Sequence, residues 1–171
     1  MFLDAASDSN DEAVRELLDK TRNEKELRSM LTFQDGDMNT ALHFGAKNGN
    51  LKICSYIVDE ATKLGIVAPL VNCCNRKGFS PLLEVSLRGY HQAGDIDESY
   101  ENRYLIINKL VEAGAEVNYC KAETKMTALH WLAYNNDSKA IQTLLKMGAD
   151  HLVFSHDENL PIDVAGTTPS L

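Results

Sequence analysis

The word TALH occurs twice, at Thr40–His43 and Thr127–His130, and altered copies of it form a ladder along the chain. SPLL stands at Ser80–Leu83 and LPID at Leu160–Asp163, so successive starts lie 40, 47 and 33 residues apart. A second series keeps step with the first. Apolar quartets sit at Ala13/Val14/Leu17/Leu18, Ile53/Cys54/Ile57/Val58, Ile106/Ile107/Leu110/Val111 and Ala140/Ile141/Leu144/Leu145. Each follows i, i+1, i+4, i+5, which puts four side chains on one stripe of a helix. Self-similarity on this scale marks stacked units: one unit cannot bury its apolar face alone, and stacking its neighbours makes a continuous core. The length, 171 residues, suits a single domain of this kind.

Local chemistry agrees with helix pairs. Thr40, Ser80 and Thr127 can each accept a backbone N–H and cap a helix start. Pro81 and Pro161 fall at a first helical position, where the missing N–H costs nothing. Two quartets run into EAGAEVN and KMGAD, and a glycine after a last turn supplies the left-handed residue that ends a helix. Gly45, Ala46 and Ala133 are small enough for the two helices of a unit to approach closely, and Asn72–Ser80 reads as a turn into the next cap. Aromatics make up only 7% of residues, so the interior has to be built from Ala, Leu, Ile and Val.

In these words and their 33-residue period the chain resembles the ankyrin-repeat family, whose pattern is T-P-L-H-x-A, over nearly its whole length. The resemblance implies an all-α fold, a solenoid of stacked helix–turn–helix units with β-turn fingers. Residues 1–171 then form one domain: a cap over about 1–34, repeats over about 35–74, 75–121 and 122–154, and a partial terminal repeat at 155–171. The cap lacks the TPLH word but keeps both helices. The spacings exceed the period in three places. One excess holds Asn23–Phe33, where Leu27, Met30 and Leu31 share a helical face, and a second surrounds ATKLGIVAPLV. The third is Arg88–Tyr104, read as an acidic, aromatic loop added between the two helices of one repeat. In the terminal unit LPIDVAG reads as a first helix, Pro169 discourages a second, and the chain is expected to continue past Leu171.

Several residues invite a chemical reading. His43 and His130 occupy the histidine of the family word, and the resemblance implies that each ties one repeat to the next rather than acting as base or ligand. DGDMN, from Asp35, imitates the start of a calcium loop, but Thr40 and Ala46 stand where Gly and Glu are required, so Asp35 reads as a turn residue. Cys54, Cys73, Cys74 and Cys120 form no C-x-x-C, and no histidine stands at zinc-ligand spacing. Asp95, Asp97, Glu98 and Glu101 read as a solvated loop. No catalytic residue, cofactor or metal is expected.

A formal charge of −8 and a pI near 5.1 repel phosphate backbones, which argues against nucleic acid. No stretch approaches the ~18 apolar residues of a membrane span, so no direct insertion is expected. With no secretory signal, the expected setting is cytoplasmic, with reduced thiols and a monomeric chain. The resemblance implies a non-enzymatic protein-interaction module binding a protein or peptide on its concave face. The alternative is a regulatory or substrate-recruiting segment of a larger enzyme or membrane protein, such as a DHHC-type palmitoyltransferase, a kinase or a channel. Transferred to this sequence, the groove positions fall on Phe79 and Met126 in neighbouring turns and on Leu87 and Tyr134 in neighbouring helices. Arg76, Lys77, Arg88, Glu123 and Asn135 would rim them.

Overall fold

The structure is a computed structural model that describes residues 1–87 and 98–165, with the backbone alone at 98–101. Ten α-helices occur among the described residues: α1 (Phe2–Ser7), α2 (Asp11–Lys20), α3 (Glu24–Thr32), α4 (Ala41–Asn48), α5 (Leu51–Lys63), α6 (Val67–Val71), α7 (Pro81–Leu87), α8 (Glu98–Glu112), α9 (Ala128–Tyr134) and α10 (Ser138–Lys146). No strand forms among those residues, only an isolated antiparallel bridge between Cys120 and Thr127. Helices α1, α4, α7 and α9 pack in that order as one layer, and α2, α5, α8 and α10 as the other. Each first-layer helix also packs on the helix that follows it in the second. This is the all-α repeat solenoid that the ladder predicts. α3 and α6 are additions, both packed against α5. α3 buries Leu27 and Leu31, in keeping with the face they share.

The core is leucine, isoleucine, valine and alanine almost throughout. Ile53, Cys54, Ile57 and Val58 are all buried between neighbouring units, whereas Leu145, on the last second-layer helix, is 42% exposed. A Cβ on Gly45 would stand 3.0 Å from Ile53 Cγ2 and 3.1 Å from Cys54 Sγ, so α4 and α5 meet so closely that a side chain here would push its neighbours by a few tenths of an ångström. Pro81 opens α7, and the Ser80 hydroxyl accepts the Leu83 N–H (3.3 Å). Asn10, Asn50 and Asp137 cap α2, α5 and α10 in the same way, a series the sequence reading passed over. Gly114 (φ 95°) and Gly148 (φ 92°) take the predicted left-handed conformation.

Asparagines fasten those glycine turns to the preceding repeat. Asn72 Nδ2 donates to the Gly114 carbonyl (2.9 Å), and its Oδ1 accepts the Glu116 N–H (2.8 Å). Asn118 does the same with Gly148 (3.3 Å) and Asp150 (2.8 Å). The next position of the series is Leu152, which is 62% exposed, and the ladder stops there.

Two expectations are corrected. Arg88–Tyr104 is not a loop throughout: α8 begins at Glu98, and residues 88–97 lie outside those described. The early part of α8 has its own anchor. Arg103 Nη1 lies 2.7 Å from Asp137 Oδ2 in a buried ion pair, and the Lys139 ammonium lies 3.8 Å from the centroid of the Tyr104 ring. LPIDVAG, in turn, does not make an α-helix in the described part: Pro161–Ala165 form turns, with the Leu160 N–H held by Asp163 Oδ2 (2.8 Å). Ile162 is 73% exposed, and a short helix that buries so little is not held against its nucleation cost.

Candidate binding surface

Between second-layer and first-layer helices the chain projects four fingers: Asp35–Asn39, Asn75–Phe79, Lys121–Met126 and Ser155–Asn159. A backbone bond closes each one, from the N–H of its first residue to the carbonyl of its last, at 3.0, 3.0, 3.2 and 2.9 Å. Each turns on a left-handed residue: Met38, Gly78, Lys125 and Glu158. In three fingers the first side chain completes the turn. Asp35 Oδ1 accepts the N–H groups of Asp37 and Asn39, Asn75 Oδ1 those of Lys77 and Phe79, and Ser155 Oγ that of Asn159. Asp35 is thus the turn residue expected of it.

The third finger breaks the pattern. It is one residue longer and begins on Lys121, whose side chain has no acceptor. The Lys121 ammonium lies 5.0 Å from the centroid of the Phe79 ring and 2.6 Å from Glu123 Oε2. Finger-to-finger bonding changes at the same place. Arg76 N–H donates to the Asp37 carbonyl and His156 N–H to the Thr124 carbonyl, each at 2.8 Å, yet among the described residues no such bond joins Glu123 to Lys77. The second and third fingers are linked through Tyr119, whose hydroxyl donates to the Gly78 carbonyl (3.2 Å).

Behind the fingers stand the two histidines. His43 Nδ1 accepts the Thr40 N–H (3.1 Å), so the ring proton sits on Nε2 and is donated to the Phe79 carbonyl (3.1 Å). His130 repeats this with Thr127 (3.2 Å) and the Asn159 carbonyl (3.1 Å). Both rings are buried and each joins two repeats. Burial pushes His43 down to about 4 and lowers His130 as well, while the carbonyl bonds pull the other way. Rings held neutral, with both nitrogens engaged, are scaffold. The four cysteines are free thiols, and burial pushes Cys54 up to about 12. Among the described residues no group of three or more His, Cys, Asp or Glu is placed to hold a metal.

Phe79 and Met126 end the second and third fingers, both half-buried. Lys121 connects them: its N–H bonds the Met126 carbonyl and its ammonium faces the Phe79 ring. Leu87 ends α7, half-buried, and Tyr134 ends α9, 37% exposed. Asn135 Nδ2 donates to the Ser86 carbonyl (3.0 Å), which brings the ends of α7 and α9 together. Asn48 makes the same clip to Ser7 (2.9 Å), so Asn135, expected at the rim, holds neighbouring units of the stack together. Arg76, Lys77 and Glu123 are exposed, and Arg88 lies outside the described residues. The side chains of Asp95, Asp97, Glu98 and Glu101 also lie outside them.

Sequence reasoning missed Lys121, Glu84 and Trp131. Phe44, Glu84 and Trp131 each follow the capping residue by four, and that register was the available signal. Glu84 Oε1 accepts from Asn75 Nδ2 (2.8 Å); burial raises the Glu84 carboxyl above its ordinary value, against the pull of Asn75, Lys47 and Lys77. Trp131 meets Tyr134 edge to face with ring centroids 6.5 Å apart, and its indole Nε1 is buried with no hydrogen-bond partner among the described residues.

Comparison with known proteins agrees with this geometry. The family model for the ankyrin repeat matches residues 124–156. The chain is 32% identical over 78 residues to Ankyrin repeat domain-containing protein 40 of Homo sapiens, a match covering 46% of this chain and 19% of that protein. It is 24% identical over 120 residues to Putative E3 ubiquitin-protein ligase XBAT31 of Arabidopsis thaliana, covering 70% of this chain and 22% of that protein. The chain thus spans about a fifth of the length of these curated relatives. No described helix is long and apolar enough to cross a membrane.

Proposed function

Because this chain is an array of ankyrin repeats, we propose that it is a non-enzymatic module that binds a protein or peptide along the finger and first-layer side of the stack. Ankyrin repeats are in general protein-interaction modules. The observation that carries the reading to this surface is the break in the third finger. Elsewhere the first side chain of the finger completes the backbone; here Lys121 faces Phe79 instead, and the half-buried Phe79 and Met126 with the exposed Tyr134 supply the apolar part of the surface. Aromatic anchors ringed by polar groups are the usual anatomy of an interaction hot spot.

The test is comparative. Proteins retained by the wild-type chain are identified by mass spectrometry, and the strongest is titrated calorimetrically against Phe79→Ala, Met126→Ala and Tyr134→Ala. Replacing Phe79 or Tyr134 is expected to weaken binding by about 1–3 kcal/mol with folding intact. All three variants behaving as wild type would show the surface to be wrong. A second reading makes the module the substrate-recruiting segment of a larger protein. It is supported by relatives about five times as long as the region they share with this chain, one of them named as a putative E3 ligase. On either reading the described residues should show no turnover, and His130→Gln should abolish none.

A further inference from the structure

Charge is distributed unevenly along the row of fingers. The chain as a whole carries −8. The first finger holds Asp35 and Asp37, and the fourth holds Asp157 and Glu158. The second and third hold Arg76, Lys77, Lys121 and Lys125 against a single acid, Glu123. Arg76, Lys77 and Lys125 are exposed. Lys121 stands where the other fingers carry a turn-closing acceptor, so the local backbone does not call for it. The four cations flank Phe79 and Met126. Lys47 and Lys77 act on Glu84 deeper in the same wall, and burial favours the neutral form of that carboxyl.

Resting on the binding surface proposed above, we infer that the partner segment is an acidic peptide with an apolar or aromatic anchor. The anchor packs beside Phe79, Met126 and Tyr134, and carboxylates on either side of it meet the cations of the second and third fingers. A carboxylate arriving at Lys121, whose side chain is 17% exposed, exchanges with Glu123, which holds that ammonium at 2.6 Å and is itself 77% exposed on its side chain, so Glu123 returns to water as the partner's carboxylate takes its place. The acids of the first and fourth fingers set the register: a charge displaced along the row by one repeat meets repulsion instead of attraction. Exposed cations make the attraction dependent on ionic strength.

Trp131, the only tryptophan, stacks edge to face on Tyr134 and reports on the surface directly. The whole chain is titrated by fluorescence with three short peptides sharing a central Leu-Phe pair: one flanked by Asp and Glu, one by Asn and Gln, one by Lys. The acidic peptide should bind at least about 10-fold more tightly than its amide analogue, and the lysine peptide least. The double variant Lys77→Glu/Lys125→Glu should abolish that preference. Lys20→Glu, on α2 away from the fingers, changes the net charge in the same direction and should preserve it. Circular dichroism and denaturant midpoints establish that each variant is folded. Equal affinity for the acidic and amide peptides, no binding of the acidic peptide, or a preference that survives the double variant would each overturn the inference. Equal affinities that are both lost in Tyr134→Ala would leave the surface standing and remove only its charge preference.

Discussion

The second and third fingers are neighbours in one row and obey different rules. In the second, Asn75 is buried and its side chain is fully engaged: Oδ1 closes the turn at Lys77 and Phe79, while Nδ2 reaches Asn39 and Glu84. In the third, Lys121 occupies the same place and its side chain accepts nothing from the turn; its ammonium faces Phe79 and Glu123. A side chain that completes the backbone is fixed by the stack. One that does not is free to be chosen for what it meets outside. Substitutions in the first class should therefore cost stability and leave binding alone, and those in the second should do the reverse.

The largest effect is expected where the stack is most committed. Arg103→Ala removes one member of the buried pair with Asp137 and should cost about 3–5 kcal/mol in urea unfolding. Lys109→Ala, whose pair with Asp59 is partly exposed, should cost less than about 1 kcal/mol. Similar losses in the two variants would remove the distinction between framework and surface.

Next come the histidines. His43→Ala should cost about 1–3 kcal/mol, and His130→Ala should fall at the low end of that range, because the turns it holds, 155–165, bury few side chains. The reverse order of denaturant midpoints would show that the last unit is packed as firmly as the interior. Histidine also sets a pH dependence. The folded-state value of His43, about 4, lies below its ordinary 6.5, so its contribution is complete above pH 6.5 and is lost as pH falls through 4. Unfolding midpoints should decline over that window, and less steeply in His43→Gln, where a non-titrating side chain keeps an acceptor for the Thr40 N–H. Parallel pH profiles would assign the acid sensitivity elsewhere.

The smallest stability effects separate the fingers themselves. Asn75→Ala should cost about 1–2 kcal/mol, through turn donors left without their side-chain acceptor. Lys121→Asn leaves no turn donor without its acceptor and should cost about 1 kcal/mol or less, for the ring contact and ion pair of a side chain that is 17% exposed, while weakening the acidic peptide. A loss at Lys121 equal to that at Asn75 would make Lys121 part of the framework and end the comparison.

The sequence by itself determined the repeat, and for a simple reason. Burying one helical stripe between neighbours forces the same apolar positions to recur, so the quartets from Val14 to Leu144 and the words around His43 and His130 are visible without coordinates. Capping and left-handed glycines follow from single-residue chemistry and were equally legible at Ser80, Gly114 and Gly148. Long-range partners decided the rest. Arg103 of α8 pairs with Asp137, 34 positions away, and Pro161–Ala165 form turns with Ile162 73% exposed; neither could be read from local sequence. The proposed binding surface was half legible: the register of the repeats pointed to Phe79, Met126, Leu87 and Tyr134, but not to Lys121 or Trp131. Local sequence shows a lysine in a turn or a tryptophan in a helix. Only the packed stack shows that the lysine reaches a ring in the neighbouring repeat, and that the indole N–H is buried with no acceptor among the described residues.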